Sequence, residues 1–325
     1  MKAAFCIFFA SALIACAAEP TALTLEKSIP LPAVKGGFDL MAVDVAGQRL
    51  FLCAEENNTV EVLDLAAGKA LRSLPGFAEP KWAVYRPEQQ RLYILQATGT
   101  VAVLDARTFA PVKDYKFKEK ANNLRFDAKT GELLVGIGKT FGAIASVDTT
   151  KDATTGEIAL TDFPKQFEVE DGRIFANVPK ANHIAVIDRA ARKVVATWPV
   201  SEAKDNVSMG FDRAQHRLFI GCEPGKFVVF DTTAGRSVAS LDIAAESDGI
   251  HYDAARHRIY VSCGAGVLEV IAQKDAGHYA LAASVPTAKG AGTSWFSPEL
   301  DRLCLAVPAH DGQPAELRVY RPPSK

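Results

Sequence analysis

The chain has 325 residues, nearly half of them apolar and under a quarter charged. That balance excludes a disordered chain and suits one large domain or two ordinary ones. The formal net charge of -1 leaves no basic excess to hold a nucleic acid or an anionic membrane, so neither is expected as a partner.

In chain order, a leader comes first. Lys2 precedes an uncharged apolar run over residues 3–15, too short to span a bilayer comfortably, and the small residues Ala15, Ala17 and Ala18 follow. Residues 1–18 therefore read as a secretory signal, and export is expected. Two processing routes stay open. A signal peptidase would cut after Ala15-Cys16-Ala17 or Cys16-Ala17-Ala18. Alternatively Leu13-Ile14-Ala15-Cys16 acts as a lipobox, and Cys16 becomes the lipidated first residue, the only expected contact with a membrane. Cys6 also falls in the leader. Cys53, Cys222, Cys263 and Cys304 lie in strand-like runs, with no CxxC pair and no metal-ligand spacing. They are expected as buried thiols and not as a disulfide framework.

The rest of the chain repeats. An acidic or polar turn followed by Arg and an apolar triplet opens as Asp44-Val-Ala-Gly-Gln-Arg49-Leu-Phe-Leu. It returns as Arg86-Pro-Glu-Gln-Gln-Arg91-Leu-Tyr-Ile, as Asp127-Ala-Lys-Thr-Gly-Glu132-Leu-Leu-Val and, shortened, as Glu170-Asp-Gly-Arg173-Ile-Phe-Ala. The last three copies are anchored on Arg217, Arg258 and Arg302, and neighbouring anchors are 41 to 44 residues apart. Ten or more residues after each anchor comes an alternating apolar run that usually ends in Asp, such as Val60-Glu-Val-Leu-Asp64, Val101-Ala-Val-Leu-Asp105 and Phe227-Val-Val-Phe-Asp231. Alternation with β-branched and aromatic residues predicts strands, and Gly-containing turns such as Ala66-Ala67-Gly68-Lys69 separate them.

Each period holds four short strands, a to d, with a before the acidic turn and b after the anchor. A four-stranded unit of this length is a propeller blade, and one blade cannot bury both faces alone. The expected fold is all-β: one seven-bladed β-propeller over residues 19–325. The last copy stops after strand c, Leu317 to Tyr320, while Ala22 to Ile29 form a spare strand ahead of the first blade. That N-terminal strand is expected to complete the seventh blade, close the ring and cover an exposed edge.

The stretch Asp253-Ala-Ala-Arg-His-Arg-Ile-Tyr-Val-Ser-Cys-Gly resembles the YVTN repeat. The whole mature chain is similar to the YncE-like exported β-propellers of bacteria, most closely from Ser247 to Tyr320. Val-Ser-Cys, Leu-Cys-Ala and Ile-Gly-Cys stand where that repeat often has Val-Thr-Asn. The resemblance implies a periplasmic or lipid-anchored propeller of the bacterial envelope and transfers no catalytic residue.

In a propeller the d–a and b–c loops gather at one mouth of the central channel. Counting five residues back from the acidic turn gives Asp39, Lys81, Asn122, Val207 and Asp248. Asn206 adjoins Val207, Thr293 is taken as the matching place in the last copy, and blade four contributes near Lys165 or Gln166. Asp39, Lys81, Asn122, Asn206, Asp248 and Thr293 are therefore the candidate ligand-binding set. Within it, Asp39, Asn122, Asn206 and Asp248 offer oxygens suited to calcium or magnesium. A bound cation there could polarise a carbonyl or activate water, by analogy with lactone-hydrolysing propellers.

Other features read as structural. Gly138-Lys139-Thr140 imitates the end of a phosphate loop, but Leu133 replaces its first Gly and no helix follows. His216 and His257 share a turn on the face opposite the mouth. His251 and Trp295 share a strand a slot and are expected to wedge between blades. Asn57-Asn58-Thr59 and Asn206-Val207-Ser208 match glycosylation acceptors that a bacterial source would leave unused. No Ser/His/Asp or Cys/His set assembles at repeat positions. The leading expectation is a monomeric, non-catalytic binding propeller for a protein or small molecule. The alternatives are a metal-dependent, lactonase-like hydrolase and a single-stranded nucleic-acid binder, the latter hinted at only by Lys81-Trp82.

Overall fold

The computed structural model describes residues 23–138 and 141–324. The leader with Cys16, and the Lys139-Thr140 pair, lie outside the described residues. Each repeat folds into one four-stranded antiparallel sheet.

β1 (Thr24–Leu31) comes first in the chain. Blade one is β2 (Met41–Asp44), β3 (Arg49–Ala54), β4 (Thr59–Asp64) and β5 (Lys69–Pro75). Blade two is β6 (Pro80–Arg86), β7 (Arg91–Gln96), β8 (Thr100–Asp105) and β9 (Pro111–Lys116). Blade three is β10 (Ala121–Asp127), β11 (Glu132–Gly138), β12 (Gly142–Asp148) and β13 (Ala153–Leu160). Blade four is β14 (Phe167–Glu170), β15 (Arg173–Val178), β16 (His183–Asp188) and β17 (Lys193–Pro199). Blade five is β18 (Lys204–Asp212), β19 (Arg217–Glu223), β20 (Lys226–Asp231) and β21 (Arg236–Asp242). Blade six is β22 (Ser247–Asp253), β23 (Arg258–Cys263), β24 (Val267–Asp275) and β25 (His278–Pro286). Blade seven takes β26 (Ser294–Ser297), β27 (Arg302–Val307) and β28 (Ala315–Arg321), and β1 supplies its outer strand. Ile29 lies opposite Leu317 and Leu31 opposite Ala315 in that last pairing.

All seven anchors stand at the first residue of strand b. The residue before each is left-handed: Gln48, Gln90, Gly131, Gly172, His216, His257 and Asp301 all have φ between 47° and 82°. This turn conformation is what the two histidines serve. The Asp that ends strand c also has a local task. Its carboxylate accepts backbone N–H groups of the next turn, as Asp105 does from Arg107 and Thr108 and Asp231 does from Thr233 and Ala234. Short polar side chains favour turns for this reason.

The strand period of two explains where the core lies. Along β3, Leu50 and Leu52 pack with blade seven, while Phe51 and Cys53 pack with blade two. Both faces of each blade are thus apolar, and seven separate cores form, one between every pair of neighbouring blades. Cys53, Cys222, Cys263 and Cys304 are free and buried in four of these cores. Burial pushes the thiols of Cys222, Cys263 and Cys304 up to about 12.

Blade three departs from the repeat at its anchor, where Glu132 replaces Arg. The missing cation comes from blade four. Arg189 pairs with both Asp127 and Glu132, in the role that Arg49 plays toward Asp44 at 2.9 Å within blade one.

Candidate functional site

The entries to the a strands and the b–c loops converge at one end of the channel. Backbone hydrogen bonds between blades hold this ring in place. Leu40 N–H donates to the Lys81 carbonyl at 3.1 Å, Gln166 N–H to Val207 at 3.2 Å, and Gly249 N–H to Gly292 at 3.0 Å. Because strand a is the innermost strand of each blade, the slot five residues before the turn faces the axis. Asp39, Lys81, Asn122, Lys165, Val207 and Asp248 all line one cavity of about 190 Å³, joined by Glu55 and Asn123.

The cavity is charged and unbalanced. Asp39, Glu55 and Asp248 face two lysines, Lys81 and Lys165. The Lys81 ammonium is bonded to Glu55 and stands 3.5 Å from Asp39 Oδ2. Burial opposes its charge, but Asp39 and Glu55 outweigh burial and raise its pKa. Asp39 Oδ1 accepts the Leu40 N–H at 2.9 Å. Even so, burial, and after it the charge of Asp248, holds the Asp39 carboxyl well above the ordinary carboxylate range. Burial also raises Asp248, against the hydroxyl of Thr293, which donates to its Oδ2 at 3.0 Å.

The structure corrects the sequence-derived set in two places. Asn206 does not face the cavity. Register shifts on either side of it in β18 turn its side chain toward blade four. There it is fully buried, and its Nδ2 donates to Asn177 Oδ1 at 2.8 Å and to the His183 carbonyl at 3.0 Å. Val207 takes the mouth position instead. Lys165 is the ring member of blade four. Thr293 sits one slot deeper than the count requires, with Gly292 in the ring, and reaches the site through its hydroxyl, which bonds Asp248 Oδ2 at 3.0 Å and the Phe38 carbonyl at 3.4 Å. The proposed metal set of Asp39, Asn122, Asn206 and Asp248 is therefore not assembled, and among the described residues no three His, Cys, Asp or Glu side chains converge as a metal group.

Gln166 closes the cavity below. Its Nε2 donates across to the Asp248 carbonyl at 2.8 Å, and its Oε1 accepts the Met209 N–H at 3.0 Å. Beneath this crossbar the channel widens to about 420 Å³. There Arg125 lies 4.2 Å over the Trp82 ring, with Glu168 at 3.1 Å and Arg213 joining Glu168 at 2.9 Å. Sequence reasoning missed Arg125 and Glu168. The available signal was a charge two residues before the turn, found in blades three and four alone. His251 and Trp295 occupy that same slot and line the channel, although they were expected only to wedge between blades. His251 Nε2 is 3.1 Å from Ser294 Oγ, and burial lowers its pKa to about 4, so the ring is neutral at neutral pH. Trp82 is 6% exposed beneath Arg125, which leaves it unfit as a stacking platform for bases.

No family model matches the chain, and no curated protein matches its sequence. Solved structures do match its fold. A chain of the "Crystal Structure of Mitotic Checkpoint Complex" superposes with a TM-score of 0.78 at 14% identity, covering 99% of this chain and 98% of the other. "Kuenenia stuttgartiensis Hydrazine Synthase" gives 0.76 at 18% identity, over 89% of this chain and 97% of that one. "Crystal structure of RRP9 WD40 repeats" gives 0.75 at 10% identity, over 92% and 99%. The neighbours are WD40-like seven-bladed propellers, and at these identities the likeness concerns the fold alone.

Proposed function

We propose that this chain is a non-catalytic binding propeller whose partner or ligand enters at the channel mouth. The observation that carries the reading is the convergence of Asp39, Glu55, Lys81, Asn123, Lys165 and Asp248 on one cavity at the open end of the axis. Convergent polar groups in a concavity set by a rigid scaffold are what a recognition site requires. A metal-assisted hydrolase is disfavoured by the Lys81 ammonium, which already holds the place between Glu55 and Asp39, and by the inward turn of Asn206. The leader supports export, and the YVTN-like repeat supports the bacterial envelope as the site of action, as a monomer. Membrane contact is then confined to lipid on Cys16.

Photo-crosslinking in the source cell tests this. A crosslinking residue at Val207, in the mouth, is expected to trap a discrete adduct, whereas one at the exposed turn residue Ala254 on the opposite face traps none. Adducts from Ala254 alone, or none from Val207, would refute the assignment of the working face.

A further inference from the structure

The mouth cavity contains an amide with no partner. Asn123 is 2% exposed, it borders the cavity, and neither its Nδ2 nor its Oδ1 has a hydrogen-bond partner among the described residues. A buried amide left in this state is costly, and natural proteins rarely tolerate it without a use. The buried amides Asn177 and Asn206 differ, since the Nδ2 of each donates to a neighbouring blade and only the Oδ1 of Asn206 lacks a partner, whereas Asn123 lacks one at both atoms. The other side of the cavity has a surplus of negative charge, three carboxylates against two ammonium groups. One of those ammonium groups, on Lys81, shows how a primary amine sits here, bonded to Glu55 and near Asp39.

We infer that the mouth cavity is a seat for an aminoacyl amide: a protonated primary amine held by Asp39 and Asp248, and an amide group paired with Asn123. The inference rests on the binding reading of the same site. The two ends of such a ligand answer the two unmet needs of the cavity. The ammonium supplies the missing positive charge, and its amide supplies both a donor and an acceptor to the orphaned Asn123. The cavity volume of about 190 Å³ holds one residue, at roughly 30 Å³ per displaced water. Burial displaces the Asp39 and Asp248 carboxyls upward, with the charge of Asp248 adding to it at Asp39, and a bound cation would oppose that displacement. Two sources carry this chemistry: a free amino-acid amide and the amino terminus of a polypeptide.

Calorimetric titration of the full chain with glycinamide, with an unstructured hexapeptide bearing a free amino terminus, and with its Nα-acetylated form tests the assignment. Saturable one-to-one binding of glycinamide or of the free peptide is expected, with none for the acetylated peptide. The free peptide binding more tightly than glycinamide identifies a polypeptide terminus as the source, and glycinamide alone binding identifies a small molecule. Asp248→Asn and Asn123→Leu should each weaken binding about tenfold, the scale of one lost charged or buried hydrogen bond. Both replacements keep the side-chain branching, and unchanged cooperative unfolding shows that the variants are folded. Binding that survives both substitutions, equal binding of the acetylated peptide, or saturable binding of calcium chloride with none of either amine overturns the inference. If these amines fail while crosslinks still form at Val207, the mouth remains a binding face for a different ligand.

Discussion

Ile29→Ala should loosen the ring far more than its position near the chain start suggests. Ile29 is fully buried between β28 and the blade one strands, packed with Leu50, Leu52 and Leu317. The substitution removes three carbons, about 2.4 kcal/mol at about 0.8 kcal/mol per buried CH₂. The cavity left behind brings the cost to roughly 3–4 kcal/mol, because a core shared by two blades relaxes only in part. With an unfolding entropy of about 2.1 cal/mol/K per residue, a domain of this size should melt roughly 5–6 °C lower. Leu25 on the same strand is 49% exposed, and Leu25→Ala should stay within about 0.5 kcal/mol of the parent. Scanning calorimetry on the pair checks both values. Equal melting temperatures for the two variants would refute closure by β1. Deletion of residues 21–31 removes the whole β1 ladder and should abolish cooperative unfolding.

Arg189→Ala should destabilise the fold by about 1–3 kcal/mol, since it strands the half-buried carboxylates of Asp127 and Glu132. Adding Glu132→Arg should recover most of that loss in denaturant unfolding, because it returns the anchor used in the other blades; no recovery would break the cross-blade replacement. Asp39→Asn should stabilise the chain at pH 7. The folded-state pKa of Asp39 lies well above 3.8, so its contribution is favourable below the unfolded value and is lost as pH rises through the folded one. Parent stability should accordingly gain on acidification toward pH 4 more than that of Asp39→Asn, and parallel pH profiles would contradict this. The four thiols Cys53, Cys222, Cys263 and Cys304 should resist a disulfide reagent in the native state and react on unfolding, as their burial and raised pKa values require; rapid native labelling of any of them would show that its blade opens.

The architecture was legible because it is written in a period. Every anchor from Arg49 to Arg302 begins a strand b, and the run Val60 to Asp64 falls within β4. Even the closing strand could be read, from the missing fourth strand after Tyr320. The site was legible only as far as the period held. Asp39, Lys81, Asn122 and Asp248 share a slot and share a cavity. Asn206 was misplaced because bulges in β18 rotate a side chain in a way that residue spacing does not record. Gln166 was left as one of two options. Its task, to bridge blades four, five and six, depends on groups 43 and 82 residues away. The exchange of Glu132 for a cation on the next blade is likewise a contact between repeats, where a search within repeats has no signal.

The clasp between the two ends of the chain has a consequence in time. β1 precedes every strand of blades one to six, yet its partner β28 is the last strand of the ring, ending at Arg321. At about 5–20 residues per second, the stretch from β1 to β28 takes roughly 15–60 s to synthesise, and until then Ile29 and Leu31 have no β28 partner. The ring is thus completed by its oldest strand, and no sheet can close it before both ends of the described chain are present together.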